Sequence, residues 1–486
     1  MLQPQTREQF LVVTGLACCS ISDGLIFGQM SGMLDALHSK NSEIPLDQSD
    51  LSWIASSINI TCFWGFLLVA VVTEVYGRRR AITMLNIPVL ICWIMVYLAQ
   101  DKATLLISRV IVGVSYGGVL ILTYLSVAEY TSPNIRSFCL NVMGCVGLYV
   151  GISLGHVSSL LFSWRTVALI GAIPTLLAIV LPLFWVESPS WLASKGRFDE
   201  CKIAFEALHV FNEETNKELE FLISSEQRKQ VRYSKNTNLV KFIFSKISLA
   251  IRKRYFWKIS LVNTVINIYR IAGGRIMFST LALTILQDIA GKTSILSHTL
   301  LVDGFSILGA VISCFLVKKF KMRPLLFTSG IISNTILLIL AICLYCRPEK
   351  DEIFTWVKVS LLALYFITVL AGPYAVLETL LMEIIPLEIK AYFIFFFGAL
   401  IGIIQFLAVK MAPVMFSSIG YHGVFIINAG IVTLCLIFLW FYLPETKGKT
   451  LEAIENHFIC QTNEIELNDI DQCNELMRMK RNSIEI

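Results

Sequence analysis

The stretch NIYRIAGGRIMF, Asn267 to Phe278, places Arg270 and Arg275 inside an otherwise apolar run. A charge that faces lipid at mid-depth costs at least ~2.5 kcal/mol. Two arginines at such a depth must therefore face a partner helix or a central cavity. Guanidinium groups there do one of two things. They clamp an anionic or zwitterionic solute, or they close an internal salt bridge. Gly273 and Gly274 let a helix unwind between them, which suits both readings. Neither reading is catalysis. The sequence shows no metal-spaced His/Cys cluster, no Walker A loop and no nucleophile elbow. His38, His156, His209, His298, His422 and His457 read as scattered through loops and segment ends. The chain is expected to be no enzyme and to use no cofactor and no metal.

Composition says what surrounds these arginines. Of 486 residues, 56% are hydrophobic and only 15% are charged, where a soluble domain carries about 25% charged residues. Mean hydropathy is +0.69. Apolar runs of roughly 20 residues, the length that crosses a bilayer core, take the place of the missing charge. The first run is too long for a signal-peptide core and lacks a small-residue cleavage site, so no cleaved leader is expected. The net charge of +5 is modest and reads as loop bias, with no nucleic-acid partner. The 13 cysteines fall mostly in apolar runs and read as small buried hydrophobes.

The pattern predicts an all-α membrane protein with twelve spans, near 10–33, 51–73, 81–99, 104–125, 138–161, 166–186, 257–283, 296–317, 324–346, 355–380, 391–414 and 422–443. This divides the chain into a first six-helix half (1–186), a linker (187–256), a second six-helix half (257–443) and a tail (444–486). Cations in GRRR (Gly77 to Arg80), Arg136, KKFKMR (Lys318 to Arg323), Lys390 and the 187–256 linker all fall on one side. The positive-inside rule then makes both termini cytoplasmic. The linker is too polar to span and reads as short amphipathic helices, as in FDECKIAFEALHVF.

Six spans, a cytoplasmic linker and six more spans suggest a transporter built from repeats. The halves do echo each other. AEYTSPNIRS after the fourth span matches MEIIPLEIKA after the tenth, each with Glu, Pro and a cation seven residues after the Glu. TEVYGRRRA after the second span is echoed by KKFKMRPLL after the eighth.

These residues resemble the sugar porter family of the major facilitator superfamily, in the style of insect facilitated trehalose and hexose transporters, over nearly the whole chain. VESPSWLASKGR (Val186 to Arg197) is similar to that family's PESPRWL block, LPETKGKTLEAIE (Leu443 to Glu455) to its PETKG block, and SRVIVGVSYGG (Ser108 to Gly118) to its R-x-x-x-G-x-x-x-G pattern. The resemblance implies a cytoplasmic gate at Glu74, Arg78, Arg79, Arg109, Glu129, Arg136 and Glu187, with Arg323, Glu383, Lys390 and Glu445 as second-half counterparts. All are expected at cytoplasmic helix ends, with facing pairs between the halves closing the mouth. Lys318 stands where the family has Asp. The stripes Gly24, Gly28, Gly32 and Gly113, Gly117 are expected to let helices approach closely.

The resemblance also shows what is missing. The family's seventh span carries a Gln-Gln-x-Ser-Gly-x-Asn block that binds sugar hydroxyls. Tyr269, Arg270, Ile271, Ala272, Gly273, Gly274 and Arg275 align with it. Cys145 aligns with a fifth-span glutamine, Glu378 with a tenth-span tryptophan and Gln405 with an eleventh-span asparagine. Cys145, Tyr269, Arg270, Arg275, Glu378 and Gln405 are thus the candidate solute-binding set. Glu378 is the best-placed counter-ion for the arginines, with Asp303 second. Lys410 reads as an anchor. Ile26 occupies the acid position of proton-coupled relatives, which implies facilitated diffusion, with Asp23 as a displaced alternative. The expected function is a uniporter of trehalose or a hexose, monomeric, in the plasma membrane. The alternatives are an organic-anion carrier and a non-transporting solute sensor.

Overall fold

The computed structural model describes residues 4–38, 43–131, 133–209, 213–233, 254–291, 294–346, 352–384 and 390–447. The tail beyond 447, residues 234–253 of the linker and the Pro386 segment lie outside the described residues. The first half comprises α1 (Pro4–His38), α2 (Gln48–Leu98), α3 (Lys102–Tyr130), α4 (Pro133–Asn141), a π-helical turn (Val142–Gly147), α5 (Leu148–Leu161) and α6 (Trp164–Val180). The linker holds α7 (Pro189–Ser194), α8 (Phe198–Leu208) and α9 (Glu213–Tyr233). The second half comprises α10 (Arg254–Ala272), α11 (Arg275–Ala290), α12 (Ile295–Lys319), α13 (Met322–Cys346), α14 (Glu352–Val369), a π-helical turn (Leu370–Tyr374), α15 (Ala375–Glu383) and α16 (Lys390–Tyr442). Among the described residues there is no strand.

Among the described residues, nine segments are long and apolar enough to cross a membrane. Two of them are double passes. α2 has 51 residues, about 77 Å at 1.5 Å per residue, against a bilayer core of about 30 Å. It reverses at Gly77, whose φ of 87° favours glycine. α16 reverses at Gly420 in the same way. The α10–α11 pair supplies one more pass, broken at Gly273 and Gly274. Nine, two and one make the twelve passes that the apolar runs predict.

Large apolar side chains such as Leu67, Val71, Phe315, Ile342 and Leu434 point outward along these passes. In water such a surface is unfavourable; in lipid it is the matching solvent. Inside the bundle, small residues set the helix spacing. A Cβ built on Gly24 or Gly28 would lie 2.1 Å from the Leu148 carbonyl oxygen or 2.3 Å from that of Ile152. α1 and α5 therefore pack backbone to backbone. Gly117 meets the Cys62 carbonyl of α2 just as closely.

We call the end of the bundle that carries Gly77 and the linker the linker end, and the opposite one the far end. Buried apolar residues at the far end form one core shared by both halves, with Leu25, Met30 and Phe27 against Phe278, Leu286 and Phe366. Toward the linker end each half keeps its own core, around Leu16 and Leu85 in the first and Val262 and Leu326 in the second. α8 buries Cys201, Ala204, Phe205 and Leu208. That spacing is one helical face, and it packs on Trp191 and Leu192 of α7.

Candidate functional site

The break in the seventh pass positions the central site. Gly274 takes a left-handed conformation (φ 75°), and the backbone groups freed around it find side-chain partners. The Tyr374 hydroxyl donates to the Arg270 carbonyl at 2.8 Å and accepts from the Arg275 N–H at 3.1 Å. Tyr365 donates its hydroxyl to the Gly273 carbonyl at 2.8 Å. An unsatisfied backbone group at this depth costs several kcal/mol, so the two tyrosines are what allow a broken helix here. A small apolar cavity lines the break, between Gly273, Met277, Phe278, Leu362 and Phe425.

The two arginines flank that break and meet one carboxylate. Arg270 Nη2 and Arg275 Nη1 both donate to Glu378 Oε1, the latter at 2.9 Å. Arg270 Nη1 also donates to Asn267 Oδ1 at 3.1 Å. The Arg275 guanidinium lies 5.7 Å from the ring centres of both Tyr149 and Tyr374, within cation–π range. Tyr149 belongs to α5, so the ion set faces the first half. Side-chain exposures of 21%, 12% and 14% for Arg270, Arg275 and Glu378 make it a largely desolvated cluster.

The remaining candidates are placed differently. Tyr269 turns away from the ion set. Its hydroxyl lies against Gly330 of α13, inside the second-half core, because a helical residue just before Arg270 points to another face. That corrects its assignment to the solute site. Cys145 is buried in the π-helical turn, and Gln405 is half-buried on α16. Asp303 is not a counter-ion of the arginines; it meets His156 of α5, with Nδ1 to Oδ2 at 3.0 Å. His156 is wholly buried within a pass, not in a loop. Lys410 lies over the Trp53 ring at 3.1 Å, joining α16 to α2 at the far end. Tyr149, Tyr365, Tyr374 and Asn267 were not anticipated. The one available signal was that Tyr149 follows Cys145 by one helical turn.

At the linker end, carboxylates organise each half. Glu187 Oε1 accepts from the backbone N–H groups of Arg78 and Arg79 at 2.9 and 3.1 Å. Arg78 grips Glu129 through Nε and Nη2, and Ser188 donates to the same carboxylate at 2.5 Å. Arg79 donates to the Trp185 carbonyl at 2.9 Å. The second half repeats this scheme. Glu445 accepts from the N–H groups of Met322 and Arg323, both at 3.0 Å, and Arg323 donates to the Trp440 carbonyl at 2.7 Å. Lys447 closes the end of α12 through the carbonyls of Val317, Lys318 and Phe320, a favourable place for a cation. Glu74 pairs with Lys195 after α7.

Among the described residues, each of these bonds lies within one half and its adjoining linker or tail, in a conformer whose halves meet at the far end. Two corrections follow. Arg109 is not at the linker end, because α3 starts at the far end and Arg109 lies two turns into it. It is buried and donates to Gln29 Oε1 at 2.9 Å. Arg136 reaches the Thr131 carbonyl at 3.5 Å and not the Arg78–Glu129–Glu187 group. The side chains of Glu383 and Lys390 lie outside the described residues.

A family model described as "Sugar (and other) transporter" matches residues 10–458. Sugar transporter ERD6-like 6 of Arabidopsis thaliana is 26% identical over 434 residues, covering 86% of this chain and 84% of the relative. Facilitated trehalose transporter Tret1 of Aedes aegypti is 24% identical over 465 residues. That match covers 93% of this chain but 56% of the relative's own length. Among solved structures, the proton:xylose symporter XylE bound to 6-bromo-6-deoxy-D-glucose superposes with a TM-score of 0.74 at 18% identity, covering 93% of this chain and all of that one. An inward-open XylE from E. coli superposes with a TM-score of 0.70, also at 18% identity. At that identity the likeness speaks for the twelve-helix fold.

Proposed function

The chain belongs to the sugar (and other) transporter family, and from that premise we propose that it moves a neutral sugar, such as trehalose or a hexose, down its gradient by alternating access. The observation that carries this reading is the shared carboxylate. Glu378 engages both arginines, so no charged solute is required to hold them in place. The tyrosines and the ion set would then line the solute path from the second half, with Tyr149 opposite. Rocking of the two halves would break the shared far-end core, while the carboxylate clusters keep each linker end rigid. Uniport is favoured because Ile26, which does not titrate, occupies the position at which the resemblance places the acid of proton-coupled relatives. On this reading both termini are cytoplasmic, the membrane is the plasma membrane and the carrier is monomeric.

A second reading has one observation in its favour. Two guanidiniums against one carboxylate leave one positive charge, which a monoanion would balance. Uptake of labelled trehalose, glucose and gluconate into one expressing cell line separates the two. Saturable sugar uptake without gluconate uptake supports the first reading, and the reverse replaces it with the second. A cell line that takes up none of the three removes the support for both.

A further inference from the structure

His156 on α5 belongs to the first half, and Asp303 on α12 and Ser279 on α11 belong to the second. The histidine Nδ1 lies 3.0 and 3.3 Å from the two oxygens of Asp303. Its Nε2 lies 3.1 Å from the Ser279 carbonyl oxygen. His156 has no solvent exposure and Asp303 has 4%. Both ring nitrogens therefore face oxygen. A carbonyl only accepts, so Nε2 carries a hydrogen. A neutral imidazole has no second hydrogen to offer. Nδ1 then meets the carboxylate either with a proton of its own or with one held by Asp303. Both alternatives hold the same number of protons, one more than a carboxylate beside a neutral ring. Without that proton the one ring hydrogen serves only one side, and the other nitrogen sets its lone pair against either the carboxylate or the Ser279 carbonyl oxygen; burial makes either mismatch expensive.

We infer that His156 and Asp303 form a proton-binding site between the halves whose occupancy closes the far end of the carrier. The bonds exist only when the halves meet there, beside the Ser31–Leu283 and Asp35–Gln287 contacts. When the far end opens, both side chains enter the aqueous phase on that side. A hydrated imidazole gives up its proton above a pH of about 6.5. Reclosing takes a proton back from the same side. The proton is thus a ligand of the closed conformer and not a transported ion, so the site is compatible with downhill movement of the solute.

The sign follows from the proton count. Below a pH of about 6.5 both conformers hold the proton and closure does not depend on pH. Above it, closing takes up one proton, and the closed-to-open ratio falls about ten-fold per pH unit. The neighbouring elements bring few other charges. Phe278 of α11 stands edge-on to the ring at 6.3 Å, and Arg275 of α11, one turn before Ser279, is held by Glu378. α1 approaches through Gly28 against Gly155; its acids on that stretch are Asp23 and Asp35, the latter bonded to Gln287. α6 brings Arg165, paired with Glu43, and α14 brings the buried Lys358. Tyr149 lies two turns back on α5.

The site is tested on histidine-15N-labelled protein in nanodiscs at about pH 7.5, without solute, with the far end held closed by a crosslink between α3 and α12. The ring signals lost in His156→Gln are expected to report a doubly protonated ring in this closed protein. Failing that, the infrared difference between the unaltered site and Asp303→Asn is expected to carry a carboxylic-acid band. A singly protonated ring with no such band in the closed protein overturns the site. Gating is tested by the distance between spin labels at Ala103 and Ser297, both exposed at the far end, with the native cysteines replaced. Between about pH 6.5 and 8.5 the closed-to-open ratio is expected to fall about a hundred-fold in the otherwise unaltered chain and to stay flat in Asp303→Asn, which keeps the Ser279 bond. A distance that ignores pH in the first, or the same dependence in both, overturns the gate. If the variants fail to fold, the label distance in the otherwise unaltered chain decides alone: a closed-to-open ratio that ignores pH overturns the proposal. None of these measurements uses a sugar, so they stand apart from the substrate reading.

Discussion

Replacing Glu378 should damage the protein more than replacing either arginine. Glu378→Gln leaves Arg270 and Arg275 side by side with no carboxylate between them. With exposures between 12% and 21%, the cluster is dry enough for the buried-pair figure, about 3–5 kcal/mol for removing one partner. Arg270→Gln leaves Glu378 bound to Arg275 and loses charge-assisted bonding of about 1.5–3 kcal/mol. Because Arg275 stays on the shared oxygen, Arg270→Gln does not strand the carboxylate. Adding Arg270→Gln to Glu378→Gln removes one of the two stranded cations. The double variant should therefore be more stable than the sum of the single losses by about 1–3 kcal/mol. Thermal unfolding of detergent-purified protein, followed by tryptophan fluorescence, gives the ranking and the coupling. Equal losses for the two single variants with strict additivity would refute the shared-carboxylate geometry.

Tyr374→Phe should cost about 1–3 kcal/mol by stranding the Arg270 carbonyl and the Arg275 N–H, read as a lower melting temperature with slower transport. Gly77→Ala should destabilise the first half, because a Cβ there lies 2.4 Å from Glu187 Oε2 at a φ of 87°; reduced surface expression, relieved in part by Glu187→Ala, checks it. His209 stacks on Phe205 at 4.2 Å, and burial lowers its pKa. Docking of α8 should therefore be strongest above a pH of about 6.5, the unperturbed value, and weaken as pH falls below it. Hydrogen-exchange protection factors in α8, each corrected for the intrinsic rate at its pH, test this at about pH 7.5 and pH 5, and lower protection at the higher pH would contradict it.

The passes were legible because a bilayer imposes run length, and the linker side of the loops because cations repeat there. Glu378 was legible as a counter-ion because a buried arginine demands one. The convergence of both guanidiniums on one of its oxygens was not, since that depends on where the break at Gly274 aims each side chain. The same holds for Tyr374, whose hydroxyl serves backbone groups about a hundred residues away in sequence, where helical periodicity gives only the face a residue occupies. Arg109 was grouped with the wrong end because motif membership carries no direction, whereas the alternation of passes does. His156 and Asp303 are 147 residues apart. The sequence offers Asp303 to the arginines and sets His156 at a segment end, and only the packing of α5 against α12 makes them a pair.

The most direct test of the account is uptake by the purified carrier in liposomes, with labelled trehalose and glucose, with and without a protonophore. The account predicts saturable entry of at least one of these sugars that stops when the internal concentration equals the external one and is unaffected by the protonophore. Accumulation above the external level that the protonophore abolishes, or entry of gluconate with neither sugar, would contradict it.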